Sequence, residues 1–144
     1  MRPWPRAGLA GVLVLLLGLA AGCGDDAGAD GLGPGEVAVE VRLHHSRFVP
    51  EHLTVVEGTT VRFVVHNADP IDHELIVGDD AVHARHEKGN EAEHGAVPGE
   101  VSVPAGETRS TTFRFGRPGT VLYACHLPRH LDYGMRGTVT VTPR

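Results

Sequence analysis

Cysteine and positive charge are both scarce in this chain. Two cysteines in 144 residues cannot build a disulfide-dense scaffold or a four-cysteine metal site. Lysine and arginine number 13 against 18 aspartates and glutamates, a net charge of −5. A nucleic-acid binder needs a basic face, so nucleic acid is not an expected partner. No apolar run reaches the roughly 20 residues of a comfortable membrane span. What is abundant is histidine, with ten residues. The hydrophobic share of 41% is ordinary, enough to build a core and too high for a globally disordered chain. The length suits one domain.

The first segment reads as an address. Arg2 and Arg6 precede an apolar run from Leu9 to Ala21, which ends in Ala20-Ala21-Gly22 directly before Cys23. That is the layout of a secretory signal peptide over residues 1–22. Small residues just before a cysteine resemble a bacterial lipobox, which implies that Cys23 is lipidated and becomes the mature N-terminus. An ordinary signal peptide followed by an incidental cysteine is the alternative. Losing Arg2 and Arg6 leaves 11 basic residues against 18 acidic ones, a net charge of −7. Residues 23–35 are Gly-rich and acidic without apolar periodicity, and read as a flexible tether. The expected location is outside the cytoplasm, periplasmic or at the cell surface, with the membrane reached only through the lipid anchor.

From Glu36 the pattern changes. Val37, Val39, Val41 and Leu43 alternate with Glu36, Ala38, Glu40 and Arg42, the period of a half-buried strand. Leu53–Val56, Val61–Val65, Glu74–Val77, Glu100–Val103, Thr111–Phe115, Thr120–Ala124 and Thr138–Val141 repeat the theme, separated by Gly, Pro, Asn and Asp clusters. About eight short strands with regular turn signals predict an all-β antiparallel sandwich or barrel over 36–144. The stretch 79–95 breaks the rhythm. It has no β-branched run, Asp79 or Asp80 could cap a short helix, and it is expected to be an exposed helical or loop insertion.

The chemistry concentrates in Cys125-His126-Leu127-Pro128-Arg129-His130-Leu131-Asp132-Tyr133-Gly134-Met135. This segment places a cysteine, a histidine five residues on and a methionine five further, between two strands. A second histidine, His73, stands where a turn enters a strand. Two imidazoles, one thiolate and a thioether are the ligand set of a blue-copper site. Soft sulfur suits Cu(I) and imidazole suits both oxidation states, so such a set holds copper through a one-electron cycle. Zinc shares cysteine and histidine, but a thioether gives no reason to prefer it. His126 should point away from Cys125 if strand geometry continues, and is placed outside the ligand set.

From Val37 to Val141 the chain resembles the cupredoxins, the blue-copper group that includes plastocyanin, azurin and auracyanin-like proteins. The resemblance rests on Phe48-Val49-Pro50, Gly58-Thr59-Thr60-Val61, Asn67-Ala68-Asp69 before His73, and the Cys125 loop running into Gly137–Val141. It implies a Greek-key β-sandwich with one copper near one end, held by His73, Cys125, His130 and an axial Met135. The His73–Asp79 run and the His-rich stretch after it resemble a subgroup of bacterial periplasmic cupredoxins, some linked to copper tolerance. One departure concerns Arg129, where this loop type commonly carries a glycine, a residue with backbone freedom that arginine lacks.

Copper held by four protein ligands leaves no open position for a substrate, and no nucleophile–base pair or phosphate loop is present, so an enzyme is not expected. The leading expectation is a monomeric electron carrier. The resemblance implies that electrons pass through the exposed edge of His130, ringed by Leu127, Pro128, Leu131 and Met135, in transient contact with redox partner proteins. Net negative charge favours a partner with a basic patch. The alternative is a protein that sequesters or hands on copper, with auxiliary histidines. His83 and His86, neighbours on one face if their stretch is helical, could form a second metal site with His94 or Glu87. A purely structural sandwich would bind no metal.

Overall fold

The computed structural model describes residues 33–89 and 93–144. The signal peptide, Cys23 and most of the tether lie outside the described residues. Among those described, the strands are β1 (Gly35–Leu43), β2 (Phe48–Val49), β3 (His52–Val56), β4 (Thr59–Asn67), β5 (His73–Gly78), β6 (Glu100–Val103), β7 (Thr108–Arg114), β8 (Gly119–Ala124) and β9 (Arg136–Thr142), with one helix, α1 (Asp80–His86). They form two sheets, ordered β2-β1-β4-β7 and β3-β9-β8-β5-β6. The all-β sandwich is as expected, with nine strands rather than about eight. The extra one, β2, is two residues long and too short to carry a periodic signal.

Alternation builds the core. In β4 the residues Thr59, Val61, Phe63, Val65 and Asn67 are buried while their neighbours face outward. The inner faces meet in one cluster that includes Val41, Leu43, Phe63, Leu75, Val103, Tyr123 and Val139. Burying these side chains is the main stabilising term, about 1.5–3 kcal/mol for each fully buried Val, Leu or Phe.

Two ladders depart from the antiparallel expectation. β1 runs parallel to β4, from Gly35 opposite Thr59 to Leu43 opposite Asn67, and β3 runs parallel to β9. A parallel pair needs a crossover. Here the chain leaves the first sheet after β2, adds β3 to the second sheet, then returns as β4. Alternation within single strands carries no information about that switch.

The second sheet is covered on both faces at β5. All six of its residues are buried. Leu75 and Val77 join the core, so by the two-residue period Glu74 and Ile76 face the other way, beneath α1. The helix starts at Asp79, whose side chain accepts a hydrogen bond from the Val82 N–H at 3.0 Å, a cap typically worth about 1 kcal/mol. The expected exposed insertion is therefore corrected in part. Its helix is seated on the sheet, with His83 and His86 buried.

Tyr123 is the largest fully buried side chain. Its hydroxyl donates to the Pro50 carbonyl at 2.6 Å, and its ring lies edge-on to Phe48 at 5.2 Å. The ring fits because β9 has glycine opposite it: a Cβ on Gly137 would stand 2.2 Å from the ring. Gly137→Ala is expected to lower stability by about 1–3 kcal/mol, the usual range for an overpacked core, read as a lower denaturation midpoint in urea.

Candidate metal centre

The turn between β4 and β5 sets the first ligand. Asn67 organises it: its side-chain amide donates to the carbonyls of Ile71 at 2.8 Å, Val103 at 2.9 Å and Pro104 at 3.2 Å. Its Oδ1 accepts from the Asp69 N–H at 3.0 Å. Asp69 is thereby buried and aimed at three donors. Its carboxylate accepts the N–H groups of His45 at 2.7 Å and Ser46 at 2.8 Å. Both residues have positive φ, 52° and 53°, a conformation that costs non-glycine residues about 1–2 kcal/mol each. The carboxylate compensates that strain.

The third donor is His73, with Nε2 2.9 Å from Asp69 Oδ2. Burial alone would raise the Asp69 carboxyl, but the hydrogen bonds from Ser46, His45 and His73 outweigh it and hold the group below its ordinary range. An ionised carboxylate only accepts, so Nε2 of His73 carries the proton and Nδ1 presents a lone pair. That Nδ1 lies 3.3 Å from Nδ1 of His130.

The loop after β8 supplies the rest. Cys125 is fully buried, and its Sγ is 3.1 Å from His130 Nδ1. The donor atoms of His73, Cys125 and His130 all lie within 4.8 Å of one another. The loop closes on itself. The Met135 N–H donates to the His130 carbonyl at 3.0 Å, and the Cys125 N–H donates to the Met135 carbonyl at 3.2 Å. Met135 is fully buried at this end of the core. Three of the four predicted donors, His73, Cys125 and His130, are thus brought together, and the backbone of the fourth, Met135, is tied into the same loop.

Arg129 resolves the departure noted in the sequence. It adopts φ 71°, the left-handed conformation in which glycine is usual. Its guanidinium lies 5.2 Å over the Tyr133 ring, a cation–π contact that offsets part of the strain.

The donors are electrically suited to a metal. Burial pushes the Cys125 thiol up to about 12, with the Glu74 charge adding and backbone hydrogen bonds at Glu74 and Leu127 opposing. Burial and the neighbouring His73 lower His130, against the pull of Asp69. The imidazole is thus a neutral donor, and a metal must displace the thiol proton. Two borderline nitrogens, one sulfur that becomes a thiolate and a nearby thioether fit copper by their chemistry.

A second group lies on the opposite face of the same sheet. His126 does turn away from Cys125: its N–H donates to Glu74 Oε1 at 2.7 Å, and its Nε2 is 2.9 Å from His83 Nδ1. Burial and the neighbouring His83, His86 and His94 lower it to about 4. Of the histidines predicted for a second site, His86 and His94 come together, joined by Glu100. His83 pairs instead with His126 and with the Leu122 carbonyl, 3.2 Å from its Nε2. Glu100 and Glu74 were legible only as the first residues of short strands. Nothing in the sequence marked them as buried carboxylates.

Asp69→Ala should remove the hydrogen bond that orients His73 and leave the part-buried N–H groups of His45 and Ser46 without their acceptor. The expected result is a stability loss of about 2–3 kcal/mol and metal binding weaker by about 10–100-fold, the usual effect of losing a partner behind a ligand. Denaturation and competitive metal titration read the two effects separately.

Comparison with known proteins supports the copper fit. The family of copper-binding proteins of the plastocyanin/azurin type matches residues 35–142. A copper-resistant cuproprotein CopI of Rubrivivax gelatinosus is 38% identical over 98 residues, covering 66% of this chain and 59% of that protein. A protein of the same name from Pseudomonas aeruginosa is 29% identical over 138 residues, covering 74% of this chain and 76% of that one. Among solved structures, auracyanin B is similar with a TM-score of 0.60 and 31% identity, over 76% of this chain and 91% of that chain. This chain spans little more than half the length of the R. gelatinosus relative. The sandwich, the donors at its end and the match across β1 to β9 agree: the chain belongs to the plastocyanin/azurin family of copper-binding proteins.

Proposed function

We propose that the protein holds one type 1 copper between His73, Cys125 and His130, with Met135 as the axial ligand, and carries single electrons outside the cytoplasm. The observation that carries this reading is the set of three nitrogen and sulfur donors within 4.8 Å, closed into a loop that leads to a buried methionine. Four protein donors leave no position for a substrate, which favours a carrier over an enzyme. Copper supplies the one-electron couple. The chain's part is to hold the donors so that both oxidation states fit the same cage.

The surface around His130 suits a brief encounter. His130 is half-buried, so its ring edge reaches the surface, and half-buried Leu127 and Leu131 and exposed Pro128 surround it. Arg129 stands beside it as an exposed cation. Redox partners would dock here as transient, small-area contacts, without a stable oligomer. The leader and Cys23 support export and tethering by a lipid anchor.

A second reading has its own support. The relatives from R. gelatinosus and P. aeruginosa are both named for copper resistance. On that reading the same centre takes up or passes on copper in the cell envelope.

Titration of the purified protein with Cu(II) should give an intense thiolate-to-copper band that saturates at one equivalent and is absent from Cys125→Ser. No such band would overturn the type 1 reading. Because the thiol is protonated at neutral pH, each copper bound at this centre should release about one proton, and the apparent affinity should rise about tenfold per pH unit. Reversible one-electron voltammetry of the loaded protein favours the carrier. Rapid transfer of the copper to an apo-acceptor favours copper handling.

A further inference from the structure

The cluster beneath α1 is not used by the copper centre. His86 and Glu100 are buried, and the His94 side chain is only 4% exposed. Glu100 Oε2 lies 3.3 Å from His86 Nε2 and 3.4 Å from His94 Nδ1. Glu74 Oε2 lies 3.4 Å from the other His94 nitrogen. The His86 and His94 rings stand 4.8 Å apart.

His86 gives the decisive detail. Its Nδ1 is 2.9 Å from the Val82 carbonyl. A carbonyl only accepts, so Nδ1 carries a proton, and in the neutral ring Nε2 is then a bare lone pair. That lone pair faces Glu100 Oε2, another acceptor. Among the described residues no hydrogen bond reaches Nε2, which is buried. Two buried acceptors at 3.3 Å need a proton or a metal ion between them, and a shared proton would show as a hydrogen bond at Nε2, where none is formed among the described residues. The separations of 3.3–3.4 Å are those of atoms about 2.1 Å from one ion at a near-tetrahedral angle, the geometry of imidazole and carboxylate ligands on a divalent ion.

We propose that His86, His94 and Glu100 form a second metal site, for a divalent ion of the Zn(II) or Cu(II) class. Imidazole with carboxylate is the donor set that suits such ions. The surroundings support it. Arg85 binds the other carboxylate oxygen, Glu100 Oε1, at 2.6 Å, which fixes the rotamer and leaves Oε2 turned to the histidines. His83 does not compete for the ion, being engaged with Leu122 and His126. The His126 ring stacks on His86 with centroids 5.7 Å apart. A cavity of about 450 Å³, lined by Glu74, His86, His94, His126, Leu127 and Pro128 among others, gives an ion a way in. Three protein donors leave room for a water or an exchanging ligand on the ion.

This site uses none of the four copper-centre donors and does not depend on the type 1 reading. The test uses the full protein titrated with Cu(II), and separately with Zn(II), with metal counting and electron paramagnetic resonance. The expected result is a second equivalent of Cu(II) with a wide hyperfine pattern and no added thiolate band. His86→Gln and Glu100→Gln should each weaken it by at least roughly a hundredfold, the upper end of what losing even an outer partner costs. Both should keep the thiolate band, which reports that the fold survives. The Cys125→Ser protein should lose the thiolate band and keep the second equivalent. If His86→Gln and Glu100→Gln bind Cu(II) and Zn(II) as the unsubstituted protein does, any extra metal sits elsewhere and the proposal is overturned. It is equally overturned if the unsubstituted protein takes up a single ion accompanied by the thiolate band. Absence of the thiolate band with the second equivalent intact would sink the type 1 reading and leave this site standing.

Discussion

The two-residue period of a β-strand governs the chemistry of this molecule. Side chains of successive strand residues leave opposite faces of a sheet. In β5, His73 faces the end of the core where the copper donors meet, and Glu74 lies on the outer face. After β8 the same alternation sends Cys125 inward and His126 outward, where its N–H is received by Glu74. One register therefore sorts the ligating side chains into two groups, one on each face. A shift of one residue would put the Glu74 carboxylate in place of the His73 imidazole in β5, or the His126 imidazole in place of the Cys125 thiol after β8. The antiparallel pairing of β5 with both β6 and β8 fixes that register.

Register alone does not orient an imidazole. That task falls to Asp69, which sits between a strained loop and a ligand. The left-handed conformations of His45 and Ser46 would be unfavourable in isolation, and the carboxylate that accepts their N–H groups also holds the tautomer of His73. The Cys125 loop is tied differently, by its own backbone. The bonds from Met135 to His130 and from Cys125 to Met135 make one closed turn out of the segment carrying three of the four donors. A hydrogen-bonded turn meets a hydrogen-bonded loop, and the donor atoms of His73, Cys125 and His130 are gathered with no metal present.

Much of this was legible in the sequence because it is encoded locally. The alternation of Val37 to Leu43, the punctuation at Asn67–Pro70 and the Cys125–Met135 spacing each lie within a single element or turn. They pointed to the strands and to the donors His73, Cys125 and His130 that the fold brings together. What escaped was non-local. The parallel ladders depend on a chain that changes sheets. The burial of His83 and His86 depends on α1 lying over β5, where Gly78 leaves no space between the strand and Val82. Glu100 reads as the first residue of a short strand, and only the fold sets it against Arg85 and His86 of the helix. Arg129 illustrates the reverse case: the residue preference argued against a left-handed backbone, and the loop closure, with help from the Tyr133 ring, overrode it.

The two donor groups differ in their chemistry. The inner one contains sulfur and imidazole in a closed cage, a set that tolerates both Cu(I) and Cu(II). The outer one contains imidazole and carboxylate beside a cavity, a set that favours a divalent ion and gives Cu(I) no soft ligand. An ion held in the outer group would thus be retained as a divalent species and released on reduction, whereas copper in the inner group would stay bound through the same change. Neighbours of the outer group adjoin the inner donors in the chain: Glu74, beside His94, follows His73, and His126, stacked on His86, follows Cys125. Charge placed on one face of the sheet acts on the other across a thin buried layer, where electrostatic interactions are weakly screened. The fold thus presents two groups of metal-ligating side chains, His73, Cys125 and His130 on one side of the sheet and His86, His94 and Glu100 on the other.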